Sequence, residues 1–69
     1  MDAQIRINGR DEPLGAPTIA LLVAEKTEQA HPKGVAVALN GKVVPRQAWS
    51  DTTLHDGDQI EIVRVLQGG

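Results

Sequence analysis

The chain is predicted to fold as one α+β domain, with a mixed five-stranded sheet packed on one main helix. Three observations in the sequence support this fold class. Two Asn-Gly pairs, at residues 8–9 and 40–41, are each flanked by strand-like residues, and Asn-Gly is a strong signal for a hairpin turn. One stretch between them has helical spacing. With only 69 residues, the chain has room for a single core, and one helix across one sheet buries both apolar faces.

The first elements form a hairpin. Residues 3–8 alternate polar and apolar side chains, which is the period of a half-buried strand. After the Asn8-Gly9 turn, residues 10–14 should return as a second strand. Pro13 lacks a backbone N–H, which suits the edge of the sheet.

A helix follows, with Thr18 as its N-cap. The apolar residues Ile19, Leu22 and Val23 are spaced to face the sheet. The run of residues 29–34 contains a proline and a glycine, which should end the helix.

The second half of the chain supplies three more strands. Val35–Leu39 is a continuous apolar run, typical of an inner strand that is covered on both faces. Residues 42–44 return after the second Asn-Gly turn, and residues 46–49 are predicted to form one short helical turn. A tight turn at residues 55–58 relies on Gly57. It leads into a last strand, residues 59–66, which should be central because it is rich in β-branched residues.

Composition excludes several classes of function. Cysteine is absent, which removes disulfides, cysteine metal sites and thiol catalysis. Seven Lys and Arg stand against nine Asp and Glu, so no basic face of the kind that binds nucleic acid is expected. The sequence shows no signal peptide and no apolar run long enough to span a membrane. We therefore predict a cytoplasmic protein that has neither a nucleic-acid partner nor a membrane partner.

The candidate functional group is the carboxylate at the end of Leu66-Gln67-Gly68-Gly69. A terminal carboxyl group has a reference pKa of about 3.5, so it is ionised at neutral pH and is able to attack the α-phosphorus of a nucleotide. Glycines without Cβ atoms allow such a tail to enter a narrow channel. The alternative is a frayed, functionless end. We therefore predict a domain at residues 1–66 and a flexible tail at residues 67–69.

Other polar residues offer weaker candidates. Asp56 and Asp58 share one turn, but two carboxylates fall short of the roughly six to eight oxygen ligands that calcium takes. His31 and His55 have no obvious nucleophile partner, and Ser50 is the only serine. The expectation is therefore no catalytic residue and no metal site.

Four motifs of the chain occur together: Val35-Ala36-Val37-Ala38-Leu39-Asn40-Gly41, Val44-Pro45-Arg46 with Trp49, Asp56-Gly57-Asp58 with Ile60-Glu61-Ile62-Val63, and Gly68-Gly69. With these motifs the chain resembles the ThiS family, the sulfur carrier proteins of thiamine biosynthesis, which have the ubiquitin-like β-grasp fold. The combination of these motifs is far more specific than any one of them.

The resemblance implies a carrier and co-substrate rather than an enzyme. An E1-like adenylyltransferase, which itself binds ATP and magnesium, would adenylate Gly69. Sulfur from a donor such as a cysteine desulfurase would convert the adenylate to a thiocarboxylate for thiazole synthase. The domain would bind no cofactor, and Leu66, Gln67 and Gly68 would thread into the partner.

Arg46 and Trp49 are candidate partner contacts, although packing of the single Trp and solvation of the Arg explain them as well.

Three alternative functions stay open. The first is a carrier for molybdopterin or another sulfur-transfer or modifier pathway. The second is a small S4-like RNA-binding module, and the third is a protein-binding module that does not use its glycines.

Overall fold

The computed structural model describes residues 2–28 and 33–64. They form five strands, one α-helix and one 3₁₀ helix. In chain order these are β1 (Gln4–Ile7), β2 (Arg10–Pro13), α1 (Ile19–Thr27), β3 (Val35–Leu39), β4 (Lys42–Val44), the 3₁₀ helix (Arg46–Asp51) and β5 (Gln59–Arg64). The predicted boundary between residues 66 and 67 lies outside the described residues.

The strands form one mixed sheet in the order β2-β1-β5-β3-β4. β1 and β2 form an antiparallel hairpin, as do β3 and β4. β5 lies between them, parallel to β1 and antiparallel to β3. The fold class and the central place of the last strand are therefore confirmed, and β2 with its Pro13 lies at an edge of the sheet as predicted.

Both predicted hairpin turns are present. Asn8 and Asn40 each have a φ of 51°, and the glycines that follow have φ of 84° and 87°. Asparagine and glycine accept this left-handed backbone more readily than other residues. The turn at residues 55–58 also forms, with Gly57 at a φ of 88°. It is hydrogen-bonded to β1, because the Gly57 N–H donates to the Gln4 carbonyl over 2.7 Å.

The helix α1 begins where the sequence predicts. The Thr18 hydroxyl oxygen accepts a hydrogen bond from the backbone N–H of Leu21 over 3.3 Å, as an N-cap does. The helix ends at Thr27, before the predicted run of helix-breaking residues, because Glu28 adopts a left-handed backbone with a φ of 59°. Residues 29–32 lie outside the described residues.

The core lies between α1 and one face of the sheet. It consists of apolar side chains that are each at most 6% exposed: Ile5, Ile7, Ala16, Ile19, Leu22, Val23, Val37, Trp49, Leu54 and Ile60. All three predicted apolar residues of the helix are among them.

The prediction that β3 is covered on both faces is wrong. Only Val37 of this strand is buried, and Ala36 is exposed. Among residues 2–28 and 33–64, α1 covers one face of the sheet and no helix or strand covers the other. Apolar residues on that uncovered face include Val43 at 77% and Val63 at 52% exposure. A run of small apolar residues therefore indicated a central strand without indicating a second covering layer.

Candidate functional site at the end of the last strand

The end of β5 is where the chain leaves the sheet towards its carboxyl terminus. Up to Arg64 the strand pairs with β3, with Arg64 opposite Val35. On its other side β1 ends at Ile7, opposite Ile60. The backbone of β5 beyond Ile60 therefore needs a different partner on that side.

Asn8 supplies that partner through its side chain. Its Oδ1 accepts a hydrogen bond from the Ile62 N–H over 2.9 Å, and its Nδ2 donates to the Ile62 carbonyl over 3.2 Å. One amide side chain thus satisfies both backbone groups of Ile62, which two residues of a continuing parallel strand would otherwise do. We call this pair of hydrogen bonds the Asn8 clamp.

Asn40 plays the matching part at the start of β5. Its Oδ1 accepts from the Gln59 N–H over 2.9 Å, and its Nδ2 donates to Asp58 Oδ1 over 3.1 Å. Each Asn-Gly turn therefore forms a hairpin and also fixes one end of the central strand. Sequence reasoning found both turns but not these side-chain bonds, since nothing local in an Asn-Gly pair indicates which distant strand it will meet.

A basic cleft adjoins the end of β5, on the face of the sheet that carries α1. It is lined by residues from β1, β2, α1 and β5, with a cavity volume of about 370 Å³. Its charged residues are Arg10, Glu12, Lys26 and Arg64, and its apolar residues are Ile7 and Ile62. Sequence analysis did not identify this cleft, because its cations come from three elements that are distant along the chain.

The charges of the basic cleft are only partly paired. Lys26 Nζ forms an ion pair with Glu12 Oε1, and both side chains are about one-third exposed. Arg10 and Arg64 are exposed, and neither forms an ion pair with another residue of ranges 2–28 and 33–64. The cleft therefore carries three cationic groups against one carboxylate.

The two candidate partner contacts lie on the 3₁₀ helix. Trp49 is 6% exposed, and its Nε1–H donates to the Val44 carbonyl over 2.9 Å, so the indole packs in the core of the domain. The Arg46 guanidinium lies over the indole ring, 4.8 Å from its centroid, and its side chain is exposed. Direct contact of Arg46 and Trp49 with a partner stays a prediction.

The acidic turn before β5 is used for folding. Asp56 Oδ1 accepts a hydrogen bond from the Gln4 N–H over 2.8 Å, and Asp58 Oδ2 accepts from the His55 N–H over 2.8 Å. Within residues 2–28 and 33–64, no three His, Asp or Glu side chains are grouped so as to hold a metal ion.

The predicted tail residues Leu66, Gln67, Gly68 and Gly69 lie outside the described residues, as does His31. What the structure describes is the point from which the tail continues. That point is Arg64, which follows Ile62 of the Asn8 clamp by two residues and lines the basic cleft.

None of the helices in the described part of the chain is long and apolar enough to cross a membrane.

Strand order and helix placement define the class of protein: it is a small ubiquitin-like β-grasp domain. The ThiS family model matches residues 4–69, which is nearly the whole chain. The chain belongs to the ThiS family.

Two relatives named sulfur carrier protein ThiS are similar in sequence. The Thermus thermophilus protein is 36% identical over 63 residues, which cover 91% of this chain and 95% of the relative. The Escherichia coli protein is 44% identical over 36 residues, 52% of this chain and 54% of that protein.

Solved structures of a relative have the same fold. The crystal structure of the thiamine biosynthesis protein ThiS from Geobacter metallireducens superposes with a TM-score of 0.72 at 31% identity. That match covers 96% of this chain and 99% of the other. A solution NMR structure of a thiamine biosynthesis protein from the same organism gives a TM-score of 0.67, covering 100% and 88% of the two chains at 31% identity.

Proposed function

We propose that this protein is a sulfur carrier of thiamine biosynthesis, and that its reactive group is the carboxylate of Gly69. The observation that carries the proposal is the family match over residues 4–69, which spans both the folded domain and the tail. The near full-length similarity to a protein named sulfur carrier protein ThiS supports the same function.

The proposed chemistry begins with activation of the tail. A carboxylate oxygen of Gly69 attacks the α-phosphorus of ATP on an E1-like adenylyltransferase, and pyrophosphate leaves. The product is an acyl adenylate, a mixed anhydride whose carbonyl carbon is open to attack. ATP and magnesium belong to the partner, so the domain needs no nucleotide site of its own.

Sulfur then replaces AMP. A persulfide, formed by a donor such as a cysteine desulfurase, attacks the acyl carbon through its terminal sulfur and AMP leaves. A thiol cleaves the resulting acyl disulfide by thiol–disulfide exchange, which leaves the thiocarboxylate on Gly69. Thiazole synthase would accept this sulfur. In this scheme the protein is a co-substrate, and all bond-making groups except the tail carboxylate come from its partners.

The geometry of β5 supports a role as a rigid handle. The strand is paired on both sides up to Ile60, and the Asn8 clamp extends that support to Ile62. A partner that grips the domain therefore holds the start of the tail at a defined position. Five residues separate Arg64 from the end of Gly69, so an extended tail reaches about 17 Å beyond the sheet, far enough to enter a partner's channel.

The test is the intact mass of the protein after incubation with ATP, magnesium, a cysteine-derived sulfur source and the adenylating enzyme from the same genome. We expect a gain equal to replacement of one oxygen atom by sulfur, localised to the C-terminal peptide and absent without ATP. A matched control carries one extra alanine after Gly69, which blocks the reactive group and leaves the described fold unchanged. Loading of this control would refute the proposal.

The same assay separates the pathway alternatives. If the thiocarboxylate forms, supplying it to thiazole synthase or to a molybdopterin-forming enzyme identifies the acceptor. Sulfur transfer to the thiazole product is the result expected here. Transfer only to the molybdopterin precursor would assign the chain to another sulfur-transfer pathway.

A further inference from the structure

We infer that the basic cleft is a docking surface for an acidic surface of the adenylating enzyme, next to the channel that receives the tail. This inference rests on the proposed function, because it names the surface through which the partner would hold the domain. It begins with charge. The whole chain carries a formal net charge of −2, yet three of its seven Lys and Arg residues line this one cleft.

The charges within the cleft are not balanced among the described residues, which leaves two cations available to an acidic partner. Arg10 lies opposite Ile7 in the β1–β2 register, and Lys26 comes from the last turn of α1. Lys26 is paired with Glu12, whereas Arg10 and Arg64 have no ion-pair partner among residues 2–28 and 33–64. Grouped cations repel one another unless an anion offsets them. An acidic surface would supply that anion on binding.

The chemistry of the cleft favours a protein over a small anion. Ile7 and Ile62 line the cleft beside its charged residues, and a small hydrophilic anion such as phosphate would leave this apolar lining uncovered. A protein surface that offers carboxylates at its rim and apolar side chains at its centre matches this combination. Such charge complementarity mainly sets the rate of encounter and the choice of partner.

The position of the cleft selects the enzyme that receives the tail. Arg64 belongs to the cleft and also lies three residues before Gln67, the first residue of the predicted tail. Any protein that binds Gly69 in a channel must come close to Arg64. An acidic rim on that channel would therefore meet the cleft without any change in the described fold.

The test compares two double variants with the same change in net charge. Arg10→Gln with Arg64→Gln neutralises the unpaired cations of the cleft. Lys33→Gln with Lys42→Gln neutralises two exposed cations outside it and is the matched control. Circular dichroism and thermal melting establish that both variants are folded. The dissociation constant for the adenylating enzyme is then measured without ATP, at low and at high salt.

We expect the cleft variant to bind on the order of tenfold more weakly at low salt, from the loss of two exposed ion pairs. Its affinity should also depend less on salt than that of the wild type. The control should bind as the wild type does. In ATP-driven adenylation the cleft variant should show a raised KM and an unchanged kcat, because the carboxylate and its channel are intact.

Three results would overturn the inference. Equal weakening of both variants would assign the effect to net charge, and no weakening in either would remove the cleft from the interface. Binding of a single-stranded RNA oligonucleotide that is lost only in the cleft variant, with enzyme affinity unchanged, would assign the cleft to nucleic acid. Failure of the proposed function looks different: the wild type would bind the enzyme through the cleft and yield no ATP-dependent sulfur product.

Discussion

Removal of the Asn8 clamp should destabilise the end of the central strand in a way that can be located residue by residue. The variant Asn8→Gly keeps the left-handed turn, because glycine accepts a φ of 51° without strain. It deletes only the two hydrogen bonds to Ile62. A glycine at this position therefore isolates the clamp from the turn.

The expected magnitude follows from those two bonds. A net intramolecular hydrogen bond contributes about 0.5–1.5 kcal/mol. Because Asn8 is exposed, water replaces part of what is lost, and we expect a decrease of about 1–2 kcal/mol in the free energy of unfolding. A domain of this size has on the order of 3–10 kcal/mol in total, so the change is readily measured by urea denaturation at constant m-value.

Hydrogen exchange shows where the stability is lost. In Asn8→Gly the Ile62 amide loses its acceptor, Asn8 Oδ1, and should exchange faster than global unfolding requires. Asn40→Gly is the matched control at the other turn, where the same φ of 51° is found and the Gln59 amide loses Asn40 Oδ1. Each variant should therefore expose a different amide. Unchanged protection of Ile62 in Asn8→Gly would show that the clamp does not hold the strand.

Three further substitutions test the fold that presents the tail. Gly57→Val should lower the free energy of unfolding by about 1–3 kcal/mol, because valine resists the φ of 88° at this position. Steric contact is not the cause, since a Cβ there would meet no atom within 4 Å. Gly15→Ala, in equally open space, is the control and should leave the melting temperature unchanged. Trp49→Phe removes the donor to the Val44 carbonyl and should cost about 1–3 kcal/mol in urea denaturation, whereas no loss would show that water replaces the indole N–H. Thr18→Ala removes the N-cap acceptor and should lower stability by about 1 kcal/mol, with Thr18→Ser retaining most of it; equal losses in both would assign the effect to the Thr18 methyl group.

The fold was predictable where local chemistry decides the backbone. Asn8-Gly9, Asn40-Gly41 and Gly57 all adopt the left-handed backbone that their side chains allow, and this fixes the two hairpins and the turn before β5. Thr18 caps the helix for an equally local reason. These residues determine where the chain reverses, so element order followed from them.

What the sequence did not reveal depends on residues that are distant along the chain. Hydrophobicity alone indicated burial for the whole of β3. Ala36 of that strand instead pairs with Val63 of β5 on the face of the sheet that α1 does not cover. The Asn8 clamp spans 54 residues of sequence, and the cations of the basic cleft come from three elements. Both depend on strand register, which no local pattern specified.

The candidate site was predicted only in part. The tail was identified from composition and family resemblance, and its four residues stay a prediction because they lie outside the described part of the chain. The structure adds the support of β5 and the basic cleft beside it. Together these features define a handle for a partner, with the reactive group five residues beyond Arg64.

The most direct test of the central claim is the intact mass of the C-terminal peptide after reaction with ATP, the adenylating enzyme and a sulfur source. The account predicts one oxygen replaced by sulfur at Gly69, strictly dependent on ATP and lost when one residue is added after Gly69. No change in mass, with the same enzyme shown to activate another carrier, would contradict it. In that case the domain would be a β-grasp protein that binds partners without carrying sulfur.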